Sequence, residues 1–157
     1  MTDSPAERPI RLMIFSSPTH LAVVRGAVEG LCRSIGFDGE CITRVVMSVD
    51  EALSNVIRHA YAGAEGEPIE IELDWTDKQP GVRISIRDRG RAVEPGSFGP
   101  RGLGELEPGG LGELTPGGLG LHIMTECMNC IEYRPAEGGG TVLTMIKRLE
   151  PARGRSR

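Results

Sequence analysis

Ser48-Val49-Asp50-Glu51-Ala52-Leu53-Ser54-Asn55-Val56-Ile57-Arg58-His59-Ala60-Tyr61 constrains this chain more than any other segment does. It belongs to a longer run with apolar residues at Ile42, Val45, Val46, Val49, Ala52, Leu53, Val56, Ile57 and Ala60. Apolar residues three and four apart are the mark of a helix with one buried stripe. Glu51 and Asn55 are four apart, so they stack on one face about a turn from each other. The Asn carbonyl is a hard oxygen suited to Mg²⁺, and the Glu can take a proton from a hydroxyl or a water. An isolated pair of this kind is more often an ordinary solvated helix face. Other segments have to decide between the two readings.

Working outward, Ile10, Leu12 and Ile14 alternate with Arg11 and Met13 and predict a first strand. Ser17-Pro18 reads as an N-cap followed by a first-turn proline. Leu21, Val24, Ala27, Val28, Leu31, Cys32 and Ile35 then carry an amphipathic helix that stops near Gly36, and Asp38-Gly39 connects to the next helix. After Tyr61, residues 62–66 are a loop. Ile69, Ile71, Leu73 and Trp75 alternate with Glu70, Glu72 and Asp74, a strand with one buried and one wet face. A turn at 77–81 leads to a partner strand through Val82, Ile84 and Ile86. That strand runs into Asp88-Arg89-Gly90, a carboxylate at a strand end beside a residue free to turn.

From Glu94 onward the composition shifts to Gly, Pro, Leu and Glu, which is too little periodic apolar content for core, and the segment reads as a mobile surface loop. Gly102-Leu103-Gly104-Glu105-Leu106-Glu107-Pro108-Gly109 is repeated with a period of eight as Gly110-Leu111-Gly112-Glu113-Leu114-Thr115-Pro116-Gly117. A third copy begins at Gly118-Leu119-Gly120-Leu121. Pro108 and Pro116 cut the first two copies short, whereas the third continues into Ile123, Met124, Cys127 and Met128. Only the third is expected to open a helix, where free amides and the helix dipole make an anion site. Ile131 to Tyr133, a glycine turn at 138–140 and Thr141 to Ile146 add two final strands. The order β-α-α-β-β-loop-α-β-β predicts a two-layer α/β sandwich.

Composition narrows the class. The chain of 157 residues carries a formal charge of −4, so it reads as one domain with no nucleic-acid surface. The basic run Arg153-Gly154-Arg155-Ser156-Arg157 reads as a frayed tail. No apolar stretch approaches the roughly 20 residues that span a bilayer, and the N-terminus has no basic region followed by an apolar block. A cytoplasmic location is the expectation. Four cysteines are too few for a disulfide scaffold. Cys32 and Cys41 fall on apolar helix positions. Cys127 and Cys130 form a lone C-x-x-C whose expected role is packing at a helix end.

Taken together and in this order, the motifs resemble the Bergerat ATP-binding fold shared by histidine kinases, DNA gyrase and MutL. The N-box runs from Glu51 to Asn55, the first glycine box is Asp88-Arg89-Gly90, and the second is Gly117-Gly118-Leu119-Gly120-Leu121. Gly140-Thr141-Val142-Leu143 is similar to the strand that borders adenine in such proteins. Within that group the likeness is to the anti-sigma-factor serine/threonine kinases of the RsbW and SpoIIAB type. Both Asn55-Val56-Ile57-Arg58-His59-Ala60-Tyr61 and Gly118-Leu119-Gly120-Leu121-His122-Ile123-Met124 resemble their phrases. Ala92 departs from the pattern, standing where a D-x-G-x-G box has its second glycine.

The resemblance implies an α/β fold with a mixed sheet, helices on one face and a long mobile ATP lid at about 94–117. The ATP-binding domain would span 10–148, between a flexible N-terminus at 1–9 and a flexible basic tail at 149–157. It implies ATP and Mg²⁺ as ligands, with Asn55 on the metal and Glu51 as general base. Asp88 would accept from the adenine amino group, and Gly90 would let the base approach. Gly118, Leu119, Gly120 and Leu121 would form the phosphate loop, and Thr141 would order water near adenine. The roles of Arg58 and His59 stay open. The activity implied is phosphorylation of a STAS-type anti-anti-sigma partner by a protein that sequesters an RNA polymerase sigma factor as a homodimer. A nucleotide-gated binding module without catalysis, or an ATPase acting on water, are the alternatives.

Overall fold

The computed structural model describes residues 9–76, 80–92 and 118–150. The expected lid at 94–117, with the first two glycine repeats, lies outside the described residues, as do 1–8 and 151–157. The described elements are β1 (Ile10–Phe15), α1 (Pro18–Ile35), α2 (Gly39–Asn55), a single π-helical turn (Val56–Ala60), β2 (Pro68–Thr76), β3 (Gly81–Arg87), α3 (Gly118–Cys127), β4 (Cys130–Pro135) and β5 (Thr141–Arg148).

Local chemistry marks the bounds of α1 and the start of α2. Ser17, in extended backbone, precedes Pro18 at the first turn of α1, though its side chain makes no capping bond. Gly36 ends that helix in the left-handed region at φ 105° and returns its amide to the Cys32 and Arg33 carbonyls. Asp38 then caps α2, its carboxylate accepting from the Cys41 amide at 2.8 Å. The periodic apolar run places Ile42, Val45, Val49, Ala52 and Leu53 inside. At Val56 the α-helix widens, and the Tyr61 amide donates five residues back to the Val56 carbonyl at 3.0 Å. Apolar spacing alone does not distinguish this turn from one more α turn, which is why the sequence reads as a plain helix there.

The five strands form one sheet in the order β1-β2-β3-β5-β4. Every pairing among the described residues is antiparallel, which corrects the expected mixed sheet. Two helices between β1 and β2 bring the chain back to the end it left, so these neighbours run oppositely. β3 and β4 run co-directional, and β5 lies between them antiparallel to both. Register puts Leu12, Ile71, Ile86, Leu143 and Tyr133 in one cross-sheet row facing the helices. Ile69, Ile71, Leu73, Val82, Ile84, Ile86, Leu143 and Met145 are all buried against α1, α2 and α3. Each such side chain withdrawn from water contributes about 1.5–3 kcal/mol. The opposite face is wet and charged, with Arg11 paired to Glu72 at 3.0 Å and Arg89 to Glu70 at 2.9 Å. Helices on one face of a sheet are the expected two-layer sandwich. No helix among the described residues is long and apolar enough to cross a membrane.

Candidate functional site

The last turn of α2 holds the polar pair. Glu51 and Asn55 are both half-buried, on the helix face away from its core stripe. What covers them is the first turn of α3. A β-carbon on Gly120 would stand 2.3 Å from Glu51 Oε2 and 3.8 Å from Asn55 Nδ2. A side chain at 120 would displace the Glu51 carboxylate from this position. The glycine box and the N-box are thus brought together, with the Glu51 carboxylate at the N-terminal end of α3, where amides and dipole favour negative charge.

Arg58 completes this face, seven residues beyond Glu51. Its guanidinium donates to Asn55 Oδ1 at 3.3 Å and to the Ser54 carbonyl at 3.3 Å, and lies 3.9 Å from Glu51 Oε2. Both Arg58 and Glu51 keep solvent contact, so the ion pair itself contributes little. It does orient the carboxamide, oxygen toward Arg58 and nitrogen toward α3. His59 is exposed on the same turn. No group of three or more His, Cys, Asp or Glu side chains that could hold a metal occurs among the described residues. Asn55 Oδ1 accepts one bond from Arg58 and keeps a second lone pair that could hold a cation. Such a donor suits Mg²⁺, which keeps waters and phosphate oxygens in preference to an all-protein cage.

Asp88 sits where β3 ends and is 4% exposed. Burial raises its carboxyl above the usual carboxylate range, while the amides of Gly90, Thr141 and Asp88 itself pull it back down. Gly90 donates to Asp88 Oδ1 at 2.9 Å, and the Asp88 amide donates to the Thr141 carbonyl at 3.0 Å. Two glycines allow this packing. A β-carbon on Gly140, at φ 85°, would lie 2.0 Å from the Asp88 carbonyl oxygen. One on Gly90 would lie 2.3 Å from the Ala60 carbonyl oxygen. The close neighbour of Gly90 is thus the backbone that ends the π-turn. Thr141 is buried at 4% beside Asp88. The sequence-predicted residues at 88, 90, 140 and 141 are one cluster.

The remaining box residues divide. Gly118 and Leu119 open α3 as expected, and Leu121 packs against the core. Tyr61 closes the phrase that resembles the family, but motif reading assigns it no role. Its buried hydroxyl accepts from the Arg89 amide at 2.8 Å and donates to the Pro68 carbonyl. Periodicity marks Tyr61 only as the end of a helix, so no local signal identified it. Cys127 is buried at the end of α3 and Cys130 is exposed at the start of β4, in keeping with packing at a helix end for the first. A groove lined by Phe37, Cys41, Arg44, Pro80 and Lys147 lies at the opposite end of β3 and β5 from Asp88 and Thr141, away from these residues.

Residues 14–147 match the family model described as the histidine kinase-like ATPase domain. The chain is 27% identical to the serine-protein kinase RsbW of Listeria monocytogenes over 140 residues, covering 86% of this chain and 85% of that protein. It is 30% identical to the anti-sigma F factor of Pasteuria penetrans over 133 residues, covering 84% and 85%. The match to RsbW of Bacillus pumilus, at 26% over 85 residues, spans only about half of each chain, 54% and 52%. Among solved structures, the RsbU and RsbW domains of a Mycobacterium tuberculosis protein superpose with a TM-score of 0.62 at 20% identity, covering 92% of this chain and 34% of that one. The chain belongs to the histidine kinase-like ATPase domain family, among proteins of the RsbW and anti-sigma F type.

Proposed function

We propose that this chain is an ATP-dependent serine/threonine protein kinase that acts as an anti-sigma factor. It phosphorylates a STAS-type anti-anti-sigma partner and, with that partner unavailable, holds a sigma factor as a homodimer. The observation that carries the reading is the meeting of Gly120 with Glu51 and Asn55. It puts the Glu51 carboxylate and the Asn55 carboxamide nitrogen beside the first turn of α3, which supports a proton acceptor and a phosphate-binding helix start working on one group.

Phosphoryl transfer asks a protein mainly for positioning and charge neutralisation. Mg²⁺ would supply that neutralisation when bound. Asn55 would hold the cation through its carboxamide oxygen, and the first-turn amides of α3 at Gly118 and Gly120 would bind anionic oxygens. Glu51 takes the proton from the incoming Ser or Thr hydroxyl. At the other end, Asp88 accepts from the exocyclic amino group of adenine, and Thr141 holds water against the base. Burial matters for Asp88 because a carboxylate already shielded from water gains more from an amino-group donor than an exposed one would.

The test is direct. Purified protein with Mg²⁺ and γ-labelled ATP is mixed with a STAS-domain protein encoded beside it or beside a close relative. Label in the STAS protein, lost on Asn55→Ala, supports the kinase. Phosphate released at the same rate with and without the STAS protein would favour an ATPase acting on water. Nucleotide binding with neither product would leave a binding module.

A further inference from the structure

Tyr61 lies outside the boxes, yet it is tied to the one that reads the base. Its side chain is buried, 8% exposed, at the joint between the π-turn, β2 and the segment after β3. The phenol oxygen accepts from the Arg89 amide at 2.8 Å while its proton goes to the Pro68 carbonyl. One residue earlier, the Ala60 carbonyl accepts from the Arg91 amide at 2.9 Å and lies against the α-carbon of Gly90. Residues 89 to 91 are therefore held from both sides by the end of the π-turn. Gly90 in turn donates to Asp88 Oδ1 at 2.9 Å. The links run from the Tyr61 hydroxyl to the Arg89 amide, from there along one peptide to Gly90, and from the Gly90 amide to the Asp88 carboxylate.

We infer that Tyr61 is a positioning residue that aims the Asp88 carboxylate and so sets the preference for adenine over guanine nucleotides. The inference rests on the reading of Asp88 as the base acceptor. A carboxylate accepts from the 6-amino group of adenine but meets the 6-oxo group of guanine as acceptor against acceptor. Discrimination then depends on where the carboxylate points. Burial also raises the Tyr61 pKa, keeping the phenol neutral and able both to donate and to accept. The π-turn carries the same alignment back to Asn55 and Glu51, so base end and phosphate end are registered through one short backbone segment.

ATP and GTP affinities of wild type, Tyr61→Phe, Asp88→Asn and the double variant test this by calorimetry. Tyr61→Phe removes one hydrogen-bond partner and should weaken ATP binding about three- to tenfold, with GTP less affected, so the ATP:GTP ratio narrows. In the Asp88→Asn background the same change should add less than about twofold, because its route to the base is gone. A Tyr61→Phe protein with an unchanged ATP:GTP ratio, or with its full effect retained beside Asp88→Asn, overturns the inference and leaves Tyr61 as packing. Wild-type protein without adenine preference, or Asp88→Asn without effect, overturns the Asp88 reading instead. If Tyr61→Phe does not fold, replacing tyrosine by monofluorotyrosine, at a pH where the phenol stays neutral, nearly keeps the shape, weakens the oxygen as an acceptor, and is read against the same ratio.

Discussion

Asp88 carries a pH dependence whose sign can be worked out. Its carboxyl accepts from an amino group more strongly when ionised, and protonation turns one of its two oxygens into a donor; burial lifts its pKa in the folded protein. ATP affinity should therefore fall as the solution is acidified, beginning at a higher pH than an ordinary carboxylate would give. Asp88→Asn should weaken binding by about 1–3 kcal/mol and remove this acid limb; an acid limb that persists in the variant assigns it to another group. The same shift works against folding. Between the ordinary and the raised value the folded state binds more proton, so stability falls as pH rises through that window.

Two neighbouring glycines separate strain from collision. Gly139 and Gly140 both have positive φ, 105° and 85°, but only Gly140 has a neighbour where a β-carbon would go. Gly139→Ala should cost about 1–2 kcal/mol of left-handed strain, and Gly140→Ala about 1–3 kcal/mol more, because the Asp88 carbonyl must move. Equal losses in denaturant melts would show that the contact with Asp88 is not rigid. Gly120→Ala is a different case. The obstacle is the Glu51 carboxylate, at the end of a side chain that can rotate away. The fold should survive, with a melting temperature close to wild type, while phosphoryl transfer drops roughly tenfold or more as Glu51 is displaced from its place.

At the scale of elements, the thiols report on packing. Cys32 is buried in α1 and its thiol is pushed up to about 12 by desolvation, whereas Cys130 is exposed at the start of β4. Alkylation of native protein followed by mass spectrometry should label Cys130 quickly and Cys32 only on unfolding. Comparable rates would mean that α1 opens readily. The positions of these helices and strands were legible because each carries a period and a stop: Pro18 and Gly36 around α1, Asp38 ahead of α2, alternating residues through β2 and β3. The site was legible to the extent that it is written in helical spacing, as Glu51 and Asn55 are, or in a carboxylate beside a glycine, as Asp88 and Gly90 are. What escaped is what spacing does not encode. The widening at Val56 satisfies the same apolar pattern as an α turn. The bond from the Arg89 amide to the Tyr61 hydroxyl joins residues 28 apart, and only the completed chain path brings them together.

Across the whole molecule, the sheet explains why the boxes converge. β3 and β5 are antiparallel neighbours, so the end of one and the start of the other place Asp88 beside Thr141. The π-turn reaches that edge from α2, and α3 returns over the Glu51 face. The tight turn at 77–81 made the antiparallel β2–β3 pairing readable, but the order of the other strands was not, since alternation records burial and says nothing about which strand lies beside which. On the proposed roles, the group that reads the base (Asp88) and the general base (Glu51) are different side chains, so removing the Glu51 carboxylate should spare binding. The measurement that tests this account most directly compares wild type with Glu51→Ala, in ATP binding by calorimetry and in transfer to a STAS partner. The account predicts unchanged ATP affinity and transfer reduced by about 10²- to 10⁴-fold, the usual contribution of a general base. Transfer at the wild-type rate in Glu51→Ala would contradict it.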